Sequence, residues 1–254
     1  MNHTKELNRI REEYRKRDAN KMAAESYQYT NPAYLFHIQE RERAIIHFLK
    51  KNHINLLGCK ILEVGCGTGS ILHRFLEFGA KNAVGVDLIE SRIQTGMIKY
   101  PAIRFIISNA AELPFKNGSF DLVMNFMCLS SVIDPTMRKQ IAEEMWRVTR
   151  RGGHILSYDM RRIPSLIHAL GKAYHNVWKK DSLPNTPLYY LSIPDLKNLF
   201  PGRVLKHKSV SLLFFLAGFS KYSFLATYLL SLFPFLHTHN LILLKKPLSA
   251  QTSK

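Results

Sequence analysis

Acidic residues are scarce in this chain: 19 Asp and Glu stand against 36 Lys and Arg, for a net charge of +17. That imbalance is silent about fold. It favours acidic partners: nucleic acid, an anionic membrane face, or anionic small molecules. The basic runs (Arg9 to Lys21, Arg147-Arg150-Arg151, Arg161-Arg162, Lys206-Lys208) are scattered and define no single patch. Cysteine is nearly absent. Cys59, Cys66 and Cys128 make an odd set without metal-ligand spacing, which argues against a disulfide scaffold or a zinc module. A reduced cytoplasmic setting is expected, without a secretory leader, because the first twenty residues are charged throughout. Internal repeats and low-complexity segments are missing. Residues 222–244 hold no Asp, Glu, Lys or Arg, a length that suggests a membrane span. Pro234 and the Thr238-His239-Asn240 interruption argue against one, and two short helices or one bent helix are expected instead.

At 254 residues the chain is long enough to bury a substantial core as one large domain. Its most informative stretch is Ile61-Leu-Glu-Val-Gly-Cys-Gly-Thr-Gly69. A buried-strand pattern ends at Gly65, Gly67 and Gly69, and a helical pattern follows at once. Strand, glycine turn and helix is the geometry in which a nucleotide-like ligand lies against bare backbone. Val84-Gly85-Val86-Asp87 adds a second strand ending in a carboxylate, 18 residues beyond Gly69. That spacing suits an acceptor for a ribose diol. The dinucleotide fingerprint would place its third glycine where this chain has Ser70. Glu63, beside the loop, would repel phosphate and attract an ammonium group. Both features favour a cationic nucleoside over a dinucleotide.

Leu62-Glu63-Val64-Gly65-Cys66-Gly67-Thr68-Gly69 resembles motif I of the class I S-adenosylmethionine-dependent methyltransferases. Val86-Asp87 resembles their ribose-binding acidic position. Asn109-Ala110-Ala111-Glu112-Leu113-Pro114-Phe115, with Phe120-Asp121-Leu122-Val123 after it, resembles their adenine-side segment, although Asn109 stands where Asp is usual. Glu144 to Val148 with Gly152-Gly153 resembles the helix and turn before their fifth strand, with Arg151 in place of a proline. The resemblance implies S-adenosylmethionine as cofactor. It assigns Gly65, Cys66, Gly67 and Gly69 to the methionyl part, Glu63 to the loop and ammonium, and Asp87 to the ribose. Leu88, Asn109 and Ala110 would meet the adenine, and Asn125 and Phe126 would line the floor.

The pattern of elements alternates strand and helix from residue 60 to 159, which means βαβ units in a parallel sheet. By resemblance, the fold class is a Rossmann-like α/β sheet of seven strands, mostly parallel, in the order 3-2-1-4-5-7-6. Strands are expected at 60–64, 82–87, 103–107, 120–126, 153–159, 203–213 and 240–245. Residues 1–53 read as an N-terminal helical cap whose first helix is free to move, and 54–254 as the catalytic domain. Insertions at 161–190 and 213–236 leave the sheet at its ligand edge, and acceptor specificity is expected in residues 1–40, 159–190 and 213–236.

The reading is therefore a methyltransferase acting on a small molecule or glycan, with an oxygen atom as the expected acceptor. RNA, and a lipid or lipid-linked sugar at a membrane surface, stand as alternative acceptors. Asp159 is the candidate base, because it ends the fifth strand at the ligand edge. Tyr27, Tyr29 and Tyr34 are candidates to close over the cofactor. His237 and His239 lack a third partner at metal-binding spacing. The predicted setting is cytoplasmic, with peripheral contact at the inner membrane face open.

Overall fold

The computed structural model describes residues 3–20, 28–165, 187–201 and 205–248. The strands, in chain order, are β1 (Lys60–Val64), β2 (Asn82–Asp87), β3 (Arg104–Ile107), β4 (Phe120–Phe126), β5 (Thr149–Met160), β6 (Leu205–Leu212) and β7 (His237–Lys245). They form one sheet in the order 3-2-1-4-5-7-6. β1 to β5 are mutually parallel, and β7 runs antiparallel to both β5 and β6. The expected fold is the observed one. The central strands read as unbroken apolar runs because both faces of the sheet are covered. Ile61, Leu62, Val64, Val123 and Met124 are all sealed from solvent.

The helices are α1 (His3–Asp18), α2 (Pro32–Lys51), α3 (Ser70–Glu77), α4 (Glu90–Lys99), α5 (Cys128–Ser131), α6 (Pro135–Val148) and α7 (Ile193–Leu199). Asn31 caps α2 by accepting from the Ala33 and Tyr34 amides, and Pro32 sits at the first helical position, where its missing donor costs nothing. α8 (Phe214–Ala217) and α9 (Phe224–Leu230) lie between β6 and β7, joined by 3-10 turns. The apolar run thus breaks into short pieces, and no described helix is long and apolar enough to cross a membrane. β7 begins at His237, earlier than its apolar residues suggest, because Thr238, His239 and Asn240 all find side-chain partners while their backbone pairs with β5 and β6. Residues 166–186 of the expected insertion at 161–190, and Tyr27, lie outside the described residues.

α1 is a docked helix, contrary to the expectation of a free one. The fully buried Glu6 carboxylate accepts from the Ile133 amide at 2.6 Å and from Arg9 at 2.8 Å. Arg9 also donates to the Ser131 carbonyl at 2.7 Å, and Tyr14 meets the Ser131 hydroxyl at 3.0 Å. At its far end Asp18 pairs with Arg92 of α4. Glu6→Ala strands a buried amide and an arginine at once. It should lower the unfolding free energy by about 2–3 kcal/mol, read by urea denaturation.

Candidate active site

The parallel strands β1, β2, β4 and β5 end on one edge of the sheet, and a cavity of about 1100 Å³ opens there. Its floor is the glycine loop. Gly65, Gly67 and Gly69 all have φ between 55° and 82°, a region that side chains with a Cβ rarely adopt. The three glycines serve different neighbours. A Cβ on Gly65 would lie 2.9 Å from the Cys128 side chain, and one on Gly69 would lie 2.5 Å from the Phe105 ring. Only Gly67 faces open space, with Arg92 the nearest atom at 3.7 Å. The loop is held from β2: the Gly65 and Cys66 amides donate to the Val86 carbonyl at 2.8 and 3.0 Å. Asp87 accepts from the Gly67 amide at 2.7 Å and from the Ile89 amide at 2.8 Å. Burial pushes the Asp87 carboxyl up, and those amides pull it back.

Glu63 is the most exceptional group. It is 1% exposed, yet its Oε2 has no hydrogen-bond partner. Burial raises its pKa well above the usual carboxylate value, with the Arg41 charge pulling the other way. A buried carboxylate oxygen without a donor is costly unless a ligand supplies one. Together with the bare Gly67 backbone it fits a ligand carrying an ammonium group.

Of the predicted site residues, Glu63, Gly65, Cys66, Gly67, Asp87, Leu88, Asn109, Ala110 and Phe126 line this cavity. Three do not. Gly69 packs under Phe105. Asn125 is fully buried and donates to Asp159 at 2.6 Å. Asp159 is itself sealed: it accepts from Asn125, from Ser157 at 2.7 Å, and from the Ser130 amide and hydroxyl at 2.8 and 3.0 Å. With both oxygens committed, it braces the end of β5 and is not positioned as a base. The Cys66 side chain turns back under β2, where a Cβ on Gly85 would come within 2.7 Å of its sulfur, so only its backbone serves the cavity. The Asn109 amide oxygen already accepts from the Ala111 amide at 3.0 Å.

Spacing in the sequence did not reveal the opposite wall. Tyr14 of α1, His37 and Arg41 of α2, Tyr158 of β5, Phe214 of α8 and His239 of β7 all line the cavity. The His239 ring stacks on Tyr158 at 4.4 Å between centroids and 10° between planes. The Thr238 hydroxyl gives its one hydrogen to the Ser211 carbonyl at 2.9 Å, so it must accept from His239 Nδ1 at 2.8 Å. Nε2 of His239 therefore carries the lone pair. His37 bonds the Leu212 carbonyl through Nε2, which leaves its Nδ1 as the bare nitrogen. Burial lowers the pKa of both imidazoles, His37 to about 4, so both are neutral near pH 7. Among the described residues no group of three or more His, Cys, Asp or Glu is placed to hold a metal ion.

Comparison with known proteins decides the class. A methyltransferase-domain family matches residues 61–153. This chain contains a class I S-adenosylmethionine-dependent methyltransferase domain. S-adenosylmethionine is accordingly its cofactor. A phthiotriol/phenolphthiotriol dimycocerosates methyltransferase of Mycobacterium leprae is 36% identical over 132 residues, 48% of this chain and 46% of that protein. A demethylmenaquinone methyltransferase of Paenarthrobacter aurescens is 32% identical over 100 residues, 39% of this chain and 38% of its own length. The match thus spans less than half the length of these relatives. In fold, the chain resembles magnesium protoporphyrin IX methyltransferase from Synechocystis PCC 6803 with bound S-adenosylhomocysteine, with a TM-score of 0.60 at 14% identity over 92% of this chain and 93% of that one.

The raised Glu63 pKa sets a pH dependence. In the free protein Glu63 holds its proton above the ordinary value of 4.5. Seating an ammonium beside it requires the carboxylate, so binding releases a proton. Calorimetry should show affinity for S-adenosylhomocysteine rising with pH from about 4.5 until the free carboxyl ionises unaided, while the free protein loses stability over the same window. Glu63→Gln should flatten the slope and weaken binding roughly 10- to 100-fold. Asp87→Ala should weaken binding and also loosen the loop, since it removes the acceptor for Gly67, and the second effect should appear as faster amide exchange at Gly67.

Proposed function

We propose that this protein transfers a methyl group from S-adenosylmethionine to a hydroxyl of a lipophilic small molecule, with His239 as the proton acceptor. The observation that carries this reading is the acceptor wall: Tyr158 stacks on His239, whose tautomer is fixed, Phe126 packs on Tyr158, and Phe214 lies edge-on to His37. When bound, S-adenosylmethionine supplies an activated methyl group, so the protein mainly has to align and desolvate. Glu63 would hold the ammonium, the loop at Gly65 and Gly67 would receive the methionyl chain, and Asp87 would meet the ribose. Leu88, Asn109 and Ala110 would bracket the adenine, which directs the donor toward Phe126 and the far wall.

There an acceptor hydroxyl would lose its proton as its oxygen takes the methyl group and the methyl–sulfur bond breaks, leaving S-adenosylhomocysteine. His239 Nε2 takes that proton. The resulting imidazolium is steadied by its Nδ1–H bond to Thr238 and by stacking on Tyr158. The Arg41 guanidinium, 5.7 Å from the Tyr158 ring, adds positive charge that favours the acceptor in its anionic form. The names of the relatives, a dimycocerosates methyltransferase and a demethylmenaquinone methyltransferase, point the same way, toward a lipid or quinone-like acceptor.

Labelled S-adenosylmethionine should methylate long-chain phenols or alcohols to ethers. Label found only on carbon or on glycans would contradict the reading. His239→Ala should lower kcat by about 10²- to 10⁴-fold and leave S-adenosylhomocysteine affinity unchanged. Because the His239 pKa lies below its ordinary value, wild-type activity should persist into mildly acidic solution and fall only as pH drops through that lowered value.

A further inference from the structure

The segment between β6 and β7 is built inside out. α9 turns Phe224, Leu225, Tyr228 and Leu229 to solvent and buries Thr227. The Thr227 hydroxyl is satisfied within the helix, on the Ser223 carbonyl at 2.9 Å, so nothing polar draws that face inward. Around it Phe219 and Phe235 of the 3-10 turns are exposed, as are Leu232 and Phe233 between α9 and the second turn, and Tyr222 between the first turn and α9 is 76% exposed. An amphipathic helix normally does the reverse. Exposed apolar side chains clustered on this scale mark a surface that another phase or partner covers.

We propose that this face seats the protein on an anionic lipid bilayer, with α9 and the flanking 3-10 turns entering the headgroup boundary. Charge singles out the occupant. Beyond Asp195 the chain contains no Asp or Glu, so this segment offers no carboxylate to oppose an anionic surface. Cations stand among the exposed rings themselves: Lys221 lies 4.4 Å from the Tyr222 ring centre, and Arg43, also exposed, lies 5.9 Å from that of Tyr228. Basic residues interleaved with Phe, Tyr and Leu suit an anionic interface. A second copy docking symmetrically on the same patch would bring Lys221 and Arg43 toward their own counterparts, without a carboxylate in the segment to offset them. The segment is too short and broken to span, so the contact is peripheral.

The patch is continuous with the cavity. Phe214 opens α8 and lines the cavity wall, edge-on to His37 at 5.4 Å. A lipophilic acceptor could thus leave the leaflet and reach the histidines without crossing water. That purpose rests on the function proposed above, whereas lipid binding itself needs no acceptor.

Flotation of the full chain tests it, using vesicles of phosphatidylcholine alone and of equimolar phosphatidylcholine and phosphatidylglycerol. Binding should strongly favour the anionic vesicles and weaken with added salt. Replacing Leu225, Leu229 and Phe233 together by Ser should weaken partitioning at least about tenfold, with S-adenosylhomocysteine affinity unchanged. Arg43→Glu combined with Lys221→Glu should erase the preference for phosphatidylglycerol. No binding to either vesicle by protein that still binds S-adenosylhomocysteine would overturn the proposal. So would binding that survives the triple substitution, or a self-association that the triple substitution abolishes in the absence of vesicles.

Discussion

The site rests on one short hydrogen bond, from the Gly67 amide to the Asp87 carboxylate. It ties the turn after β1 to the end of β2, and it does so where the backbone has positive φ at Gly65, Gly67 and Gly69. That conformation is costly for any other residue and would not hold on a free loop. Here it is clamped on three sides. Cys128 packs onto Gly65, Phe105 onto Gly69, and the Val86 carbonyl takes two amides between them. Because the clamp is complete, Gly67 is left bare toward the cavity. The same clamp fixes where Glu63 points, since it lies on β1 two residues ahead of the turn.

The two halves of the cavity use burial in opposite ways. On the donor side a carboxylate oxygen is buried without a donor, which stores affinity for a cation. On the acceptor side two half-buried imidazoles are kept neutral, which preserves lone pairs for a proton. Arg41 stands between them, electrostatically coupled to Glu63 and close to the Tyr158 ring. One arginine thereby eases ionisation of Glu63 and adds positive potential where an acceptor oxygen would sit. Both roles follow from the placement of α2 across the open edge of the sheet. Glu40 secures that placement by accepting from the Ser211 and Leu212 amides at 3.0 and 2.9 Å.

The donor half was legible in the sequence because it is local. Glu63, the glycines and Asp87 fall on two consecutive strands, so spacing along the chain maps onto spacing in the site. Strand order followed from the family resemblance that the same residues carry. The acceptor half was not legible, because His37 and His239 stand at opposite ends of the chain and meet only through the β6–β7 hairpin. Asp159 misled for a related reason. Its position at the end of a strand is visible in the sequence, but the serines and asparagine that enclose it are visible only in the fold. The docking of α1 was hidden too, since one buried glutamate in a polar helix carries no periodic signal.

The most direct test of the account is calorimetric titration of the intact protein with S-adenosylhomocysteine, with NADH as the control. The account predicts one-to-one binding of S-adenosylhomocysteine and none of NADH, with affinity that falls sharply in Glu63→Gln. Binding of NADH, or S-adenosylhomocysteine affinity that Glu63→Gln leaves unchanged, would contradict the role given to Glu63 and the site built around it.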